Sequence, residues 1–332
     1  MRTHGSRPRD ASRSTRAPGG GPAAATFLLA LFALAPRAGA APAAPPAAAP
    51  PAAATAPRAA APPAGVPELD HIIVVVMENR SAERVLDPRT CPFTAQFAES
   101  WVHFSNSYAL ARPSQPNYLA LWAGSTMGVT SNACPAPGSP YTVENLGHAL
   151  EAAGKTWRAY SEDLPGPGSA ACRARGSLYT RKHAPWTQFG NLTHANERPY
   201  SDLAKDIANQ SLPNLAFVVP NNCHNTHDCS LSSGDAWLQN ELEPLIPAVG
   251  RRGLVVLTWD EDDHSADNHI LTVFAGPLVR PGSVSDRRIS HYTLLRTLCD
   301  ALRIAPFAEA AAQSAITDVW YHAAPRPEPA KP

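Results

Sequence analysis

Acidic residues are almost absent from the start of this 332-residue chain: of its 28 Asp and Glu, only Asp10 precedes Val66, against seven Arg. A long apolar run is missing as well. The longest, Ala23 to Ala35, falls well short of the roughly 20 residues that span a bilayer, so no stable membrane insertion is expected. No twin arginine precedes that run, which argues for the general secretion route over the one for folded proteins. The rest of the chain has no surplus of positive charge. It carries 21 basic against 27 acidic residues, which argues against nucleic acid as an obligate partner. Its six cysteines form no CxxC pair, so thiolate-bound zinc is disfavoured, and no internal repeat is visible.

The segments that remain have distinct characters. Arg2, Arg7, Arg9, Arg13 and Arg16 lead into the apolar run, and Ala38-Gly39-Ala40 follows it, the pattern of a secretory signal peptide over residues 1–40. Residues 41–66 are almost wholly Ala and Pro, a stiff extended linker with nothing to bury. One folded domain is expected over 67–324, with a disordered Pro-rich tail at 325–332. All six cysteines lie in that domain, and an even count behind a signal peptide implies disulfides. Cys223 and Cys229 bracket His224, His227 and Asp228, a spacing suited to a small staple.

Within the domain, apolar strand patterns alternate with helical ones. Strands are expected at His71–Met77, Thr156–Tyr160, Asn214–Val219, Leu254–Trp259 and Ile270–Ala275, with an edge strand at Trp101–Phe104. Helices are expected near Cys91–Glu99, from Ser114, over Val143–Ala153, Leu203–Asn209 and Tyr292–Leu302, and over Asp235–Ile246 with an interruption at Pro244. Such alternation predicts an α/β fold, with a largely parallel central sheet and helices on both faces.

Three of these strands end in residues suited to chemistry. The apolar run ending at Trp259 breaks into Asp260-Glu261-Asp262-Asp263-His264. A buried strand has no structural use for successive acids, whose repulsion and desolvation both cost free energy. His71–Met77 runs into Glu78-Asn79, and Asn214–Val219 into a stretch containing His224, His227 and Asp228. Ligands of open α/β sheets bind beyond the carboxyl ends of strands, so the three ends point to one site. The hard oxygens of Glu78, Asn79, Asp260 and Glu261 suit Ca²⁺, Mg²⁺ or Mn²⁺ better than Zn²⁺. Ser114 stands at an N-cap-like position before an apolar helix, where the helix dipole favours alkoxide and phosphate. Spacing alone favours a plain cap.

The stretches HIIVVVMENRS (71–81), RPSQPNYLALWAGST (112–126), YTRKHAPWTQF (179–189), HDCSLSSGDAWL (227–238), LTWDEDD (257–263) and ISHYTLLRTL (289–298) occur in one order along the domain. Together they resemble the bacterial phosphoesterase family, which includes secreted acid phosphatases and phospholipases C, within the alkaline phosphatase superfamily. The resemblance implies that Ser114 is a nucleophile and that Glu78, Asn79, Asp260, Glu261 and the Ser114 hydroxyl hold a metal. His227 and Asp228 would bind a second metal, contact phosphate or protonate the leaving group, with His291 completing that side. Lys182, His183 and Asn117 would contact the phosphoryl oxygens. A secreted phosphatase follows, acting on phosphate monoesters of small molecules or phosphoinositides through a phosphoserine. A phospholipase C-type phosphodiesterase is the alternative, and a non-catalytic surface binding protein a distant third. His264 and His269 read as surface residues, and Asp262 and Asp263 as loop acids.

Overall fold

The run His-Ile-Ile-Val-Val-Val-Met is rich in β-branched residues and has no polar face after its first residue, so it is stable only as a strand covered on both sides. It forms β1 (His71–Met77), at the middle of the molecule. The computed structural model describes residues 65–321; the signal peptide expected at 1–40, nearly all of the linker and the tail lie outside the described residues. The remaining strands are β2 (Val102–Phe104), β3 (Ser107–Tyr108), β4 (Trp157–Ser161), β5 (Glu197–Pro199), β6 (Leu215–Val219), β7 (Gly253–Trp259), β8 (Thr272–Ala275), β9 (Ser283–Ser285) and β10 (Ile289–Ser290). The helices are α1 (Ala82–Val85), α2 (Pro92–Ser100), α3 (Ser114–Ala123), α4 (Leu146–Ala152), α5 (Ser201–Ala208), α6 (Leu231–Ala248), α7 (His291–Ala301) and α8 (Ala308–Ala311).

Eight strands form one sheet in the order β5-β4-β6-β1-β7-β8-β2-β9, and β3 and β10 form a small parallel pair. Only β8 runs against its neighbours; every other pairing in the sheet is parallel. The two-residue period of β1 divides the core. Ile72, Val74 and Val76 pack with Leu119 and Trp122 of α3, Leu146 of α4 and Leu295 and Leu298 of α7. Ile73, Val75 and Met77 pack with Phe97 of α2 and Trp237 and Leu242 of α6. The expected α/β architecture is therefore the observed one.

Trp122 fixes α3 to the sheet. Its ring meets Trp157, Trp186 and Phe217 edge-on at 5.0, 5.5 and 5.4 Å, each contact adding about 0.5–1.5 kcal/mol beyond the buried area. Gly124, at φ +66°, ends α3 in the left-handed turn that a side chain would strain.

Several expectations need correction. β2 is not an edge strand; it lies between β8 and β9. α4 starts at Leu146 rather than Val143, because the Asn145 side chain accepts the His148 N–H and caps the helix there. α6 continues through Pro244 and Pro247, since Trp237, Leu238, Leu242 and Leu245 stay buried along one face and outweigh the missing N–H groups. It begins at Leu231, where the Ser230 side chain accepts the Ser233 N–H.

Candidate active site

The strands β6, β1 and β7 are adjacent and parallel, so their carboxyl ends open side by side. This brings together Glu78 after β1, the 220–229 loop after β6, and Asp260-Glu261 after β7. Ser114 comes to them from α3. It is the first residue of that helix rather than its cap; extended Pro113 takes the cap position, and the remote Asn132 Oδ1 accepts the Gln115 N–H at 3.0 Å. The Ser114 hydroxyl is thus free of local bonds and meets the strand ends instead. Its Oγ donates toward Glu78 Oε2 at 3.0 Å and Glu261 Oε1 at 3.2 Å.

The cationic side comes from the turn at Arg181–His183. Lys182 is buried, and its Nζ donates to Ser114 Oγ at 3.1 Å and to His227 Nε2 at 3.1 Å. Asp228 Oδ1 lies 2.5 Å from His227 Nδ1, and Asn222 Nδ2 donates to Asp228 Oδ2 at 3.1 Å. With Nδ1 carrying the hydrogen, Nε2 keeps its lone pair for Lys182. His183 Nε2 lies 2.8 Å from Glu78 Oε1 without the alignment of a hydrogen bond, and burial lowers the His183 pKa. The His183 ring stacks on Tyr118 at 5.1 Å.

Three carboxyl groups in one buried pocket cannot ionise independently. Burial alone would raise Glu78, but His183, then Lys182 and His227, outweigh it and hold this carboxyl well below the ordinary range. Burial, then Glu78 and Glu261, drive Asp260 well above it. Burial and Glu78 push Glu261 up to about 7. The site therefore carries more negative potential than its own cations neutralise.

Orphaned oxygens accompany this excess. Asn79 Oδ1, Asp260 Oδ2 and Glu261 Oε2 are buried without a hydrogen-bond partner, although buried polar atoms are normally satisfied. All are hard donors and suit a divalent cation. Among the described residues, no three His, Cys, Asp or Glu side chains converge at metal-ligand spacing. The fit thus rests on donor chemistry and the orphaned atoms.

Two expected site residues face elsewhere. Asn117 accepts the Leu110 and Ala111 N–H groups at 3.0 Å each and donates to Ala111 O at 2.7 Å, so its amide holds the loop before Ser114. His291 is buried, and its Nε2 lies 2.8 Å from Asp260 O; burial lowers its pKa to about 4. Through Nε2 it supports the Asp260 backbone. The loop acids behave as read: Asp262 pairs with Arg112 and Asp263 with Arg84. His269 contacts Glu83, and His224 contacts Glu162 while stacking on Trp237.

Sequence reading missed Tyr118 and Asn222. Tyr118 is fully buried one helical turn after Ser114, with an unpartnered hydroxyl, and the charges of Glu78, Asp260 and Glu261 add to burial in raising its pKa. The four-residue spacing was the available signal. Cys223 and Cys229 form a disulfide, as the spacing suggested, and Cys134 pairs with Cys172, which it did not; Cys91 and Cys299 are free and buried.

The Phosphoesterase family matches residues 84–305. Phosphatidylinositol-3-phosphatase of Mycobacterium tuberculosis is 40% identical over 256 residues, spanning 77% of this chain and 84% of that protein. An acid phosphatase of Aspergillus fumigatus is 29% identical over 218 residues, spanning 60% of this chain and 48% of that protein. Among solved structures, a protein in the alkaline phosphatase superfamily from Vibrio parahaemolyticus superposes with a TM-score of 0.54 at 12% identity, covering 76% of this chain and 72% of that one. That last likeness is one of fold.

Proposed function

From the premise that the chain belongs to the Phosphoesterase family, we propose that it is a secreted phosphatase hydrolysing phosphate monoesters through a phosphoserine on Ser114. The observation that carries this reading is the setting of one buried hydroxyl, Ser114 Oγ, between two carboxylates and one ammonium. Glu78 Oε2 and Glu261 Oε1 both stand within hydrogen-bond reach of the hydroxyl, so a proton acceptor is in place when Oγ attacks phosphorus. Lys182 holds its charge beside Oγ, where negative charge gathers on the phosphoryl oxygens. His227, oriented by Asp228 through Nδ1, gives the departing alcohol a proton from Nε2 when it enters the reaction as the imidazolium with substrate in place of the Lys182 contact, and the neutral ring that results takes a proton from the water that later cleaves the phosphoserine. His183 keeps Glu78 ionised. His291 and Asn117 act at one remove, on Asp260 and on the loop before Ser114.

Glu78, Asn79, Asp260 and Glu261 would hold a divalent cation, with Ca²⁺, Mg²⁺ or Mn²⁺ ahead of Zn²⁺; when bound it supplies positive charge to the phosphoryl group and favours the Ser114 alkoxide. Secretion is supported by the two disulfides, which persist in oxidising compartments. In this reading residues 1–40 are removed on export, 41–66 are a tether to the catalytic domain at 67–324, and 325–332 are a tail. Among the described residues, no helix is long and apolar enough to cross a membrane. The substrates proposed are phosphate monoesters, with phosphoinositides among them because the mycobacterial relative is named for one.

The test is a panel of p-nitrophenyl phosphate, its choline diester and a phosphatidylinositol monophosphate. Faster turnover of the monoesters supports the reading. Preference for the choline diester would replace it with a phosphodiesterase of phospholipase C type.

A further inference from the structure

Thr226 is the only β-branched residue among the described residues that has a positive φ, at +76°. The left-handed region costs a β-branched residue more than almost any other, and such strain persists only where the surroundings enforce it. Its location shows what enforces it. Cys223 and Cys229 close a small disulfide ring, and Thr226 is the middle residue of that ring. The Thr226 hydroxyl is buried and donates to Glu78 O at 2.7 Å. The preceding residue, Asn225, accepts the Glu78 N–H through its carbonyl at 2.9 Å. Glu78 lies just past the β1 ladder, whose last pair is Met77 with Trp259, so strand pairing does not fix its backbone. Both of its backbone groups end on the ring instead.

The same ring places His227. Its N–H donates to Asn225 Oδ1 at 2.9 Å, and the Asp228 N–H donates to Asn222 O at 2.8 Å. From the other side, Gly234 of α6 closes on Thr226. A methyl group at Gly234 would stand 2.2 Å from Thr226 Cγ2, so no larger residue fits there without moving the threonine. Thr226 is therefore held between a helix and Glu78, one residue before the histidine that faces Lys182.

We propose that Thr226 is a positioning residue: its strained backbone seats its hydroxyl on the Glu78 carbonyl, which sets the Glu78 carboxylate against Ser114 and His227 against Lys182 together. The strain is the cost of aiming that hydroxyl. The proposal rests on the reading of Ser114 as nucleophile, and Ser114→Ala run alongside reports on that reading by itself.

Three substitutions in the full chain separate the hydroxyl from the backbone. Thr226→Ser keeps the hydroxyl, Thr226→Gly removes both hydroxyl and strain, and Thr226→Val keeps the strain without the hydroxyl. Steady-state kinetics on p-nitrophenyl phosphate and thermal unfolding are measured for each. Displacing a catalytic group by about 1 Å costs on the order of 10²-fold, so Thr226→Gly and Thr226→Val should lower kcat by about 10- to 100-fold with KM within about threefold. Thr226→Ser should stay within about threefold of wild type, by the same reasoning. Thr226→Gly should unfold within about 3 °C of wild type, because relief of strain offsets the lost bond, while Thr226→Val should unfold roughly 4 °C lower or more. Activity then follows the hydroxyl alone, whereas stability reflects the hydroxyl and the strain together. Wild-type kcat in Thr226→Gly would overturn the proposal. So would kcat falling in step with Tm in all three variants, Ser included.

Discussion

Replacing Glu197 with glutamine should change how stability depends on pH, with a size and sign that follow from its surroundings. Glu197 lies on β5, against Tyr179, which stands three residues before Lys182 in the chain. It is fully buried; Oε1 accepts the Tyr179 hydroxyl at 3.1 Å, and Oε2 has no partner. Burial pushes this carboxyl from 4.5 up to about 7, against the smaller lowering effects of Trp186, Tyr179 and Arg181. The folded state thus holds the proton over a range in which the unfolded chain has released it. Stability is undiminished below about pH 4.5, falls as the pH rises toward 7, and then levels off. At roughly 1.4 kcal/mol per pH unit, the loss is about 3 kcal/mol. Glutamine keeps the shape and the acceptor for Tyr179 but cannot ionise. The variant should match wild type near pH 4 and exceed it by about 3 kcal/mol near pH 8, or roughly 6–12 °C in Tm for a domain of this size. Unfolding followed by circular dichroism at both pH values is the assay. Other titrating groups are common to both proteins, so the difference between the two curves isolates Glu197. Parallel curves would refute the reasoning.

Lys182→Met removes the ammonium that touches both Ser114 Oγ and His227 Nε2, and steady-state assays should show kcat lower by about 10²- to 10³-fold. Lys182→Arg should not restore it, since a planar guanidinium does not fit where a point donor meets two single atoms. Exhaustive chelation should abolish turnover, and Ca²⁺, Mg²⁺ or Mn²⁺ should restore it better than Zn²⁺. The same additions should raise Tm of the chelated protein, a binding readout independent of turnover. Full activity after chelation, with no Tm response to any ion, would remove the metal from the account.

Much of this site is legible in the sequence because strand ends advertise themselves. Asp260-Glu261 could be picked out since acids closing a buried apolar strand have no packing role, and Glu78-Asn79 on β1 beside it and His227-Asp228 after β6, one strand further on, repeat the pattern. Side chains whose partners are backbone atoms were not legible. Asn117 and His291 stand in suggestive motifs, yet their amide and ring are taken up by Ala111 and by Asp260 O, which no side-chain pattern encodes. Tyr118 was hidden because a tyrosine in an apolar helix reads as core, and its role depends on which way the helix faces. In the fold, the short apolar run at Ile270–Ala275 marks β8 as a strand but is blind to its direction, and the prolines of α6 break a helix only where packing does not hold it.

The central claim is that Ser114 is the nucleophile, and trapping of the covalent intermediate tests it most directly. Protein turning over a phosphate monoester is quenched in acid, digested and mapped by mass spectrometry. The account predicts phosphate on the peptide containing Ser114, none in Ser114→Ala, and loss of turnover in that variant while the fold persists. Near-normal activity in Ser114→Ala, or phosphate trapped on another residue, would contradict it.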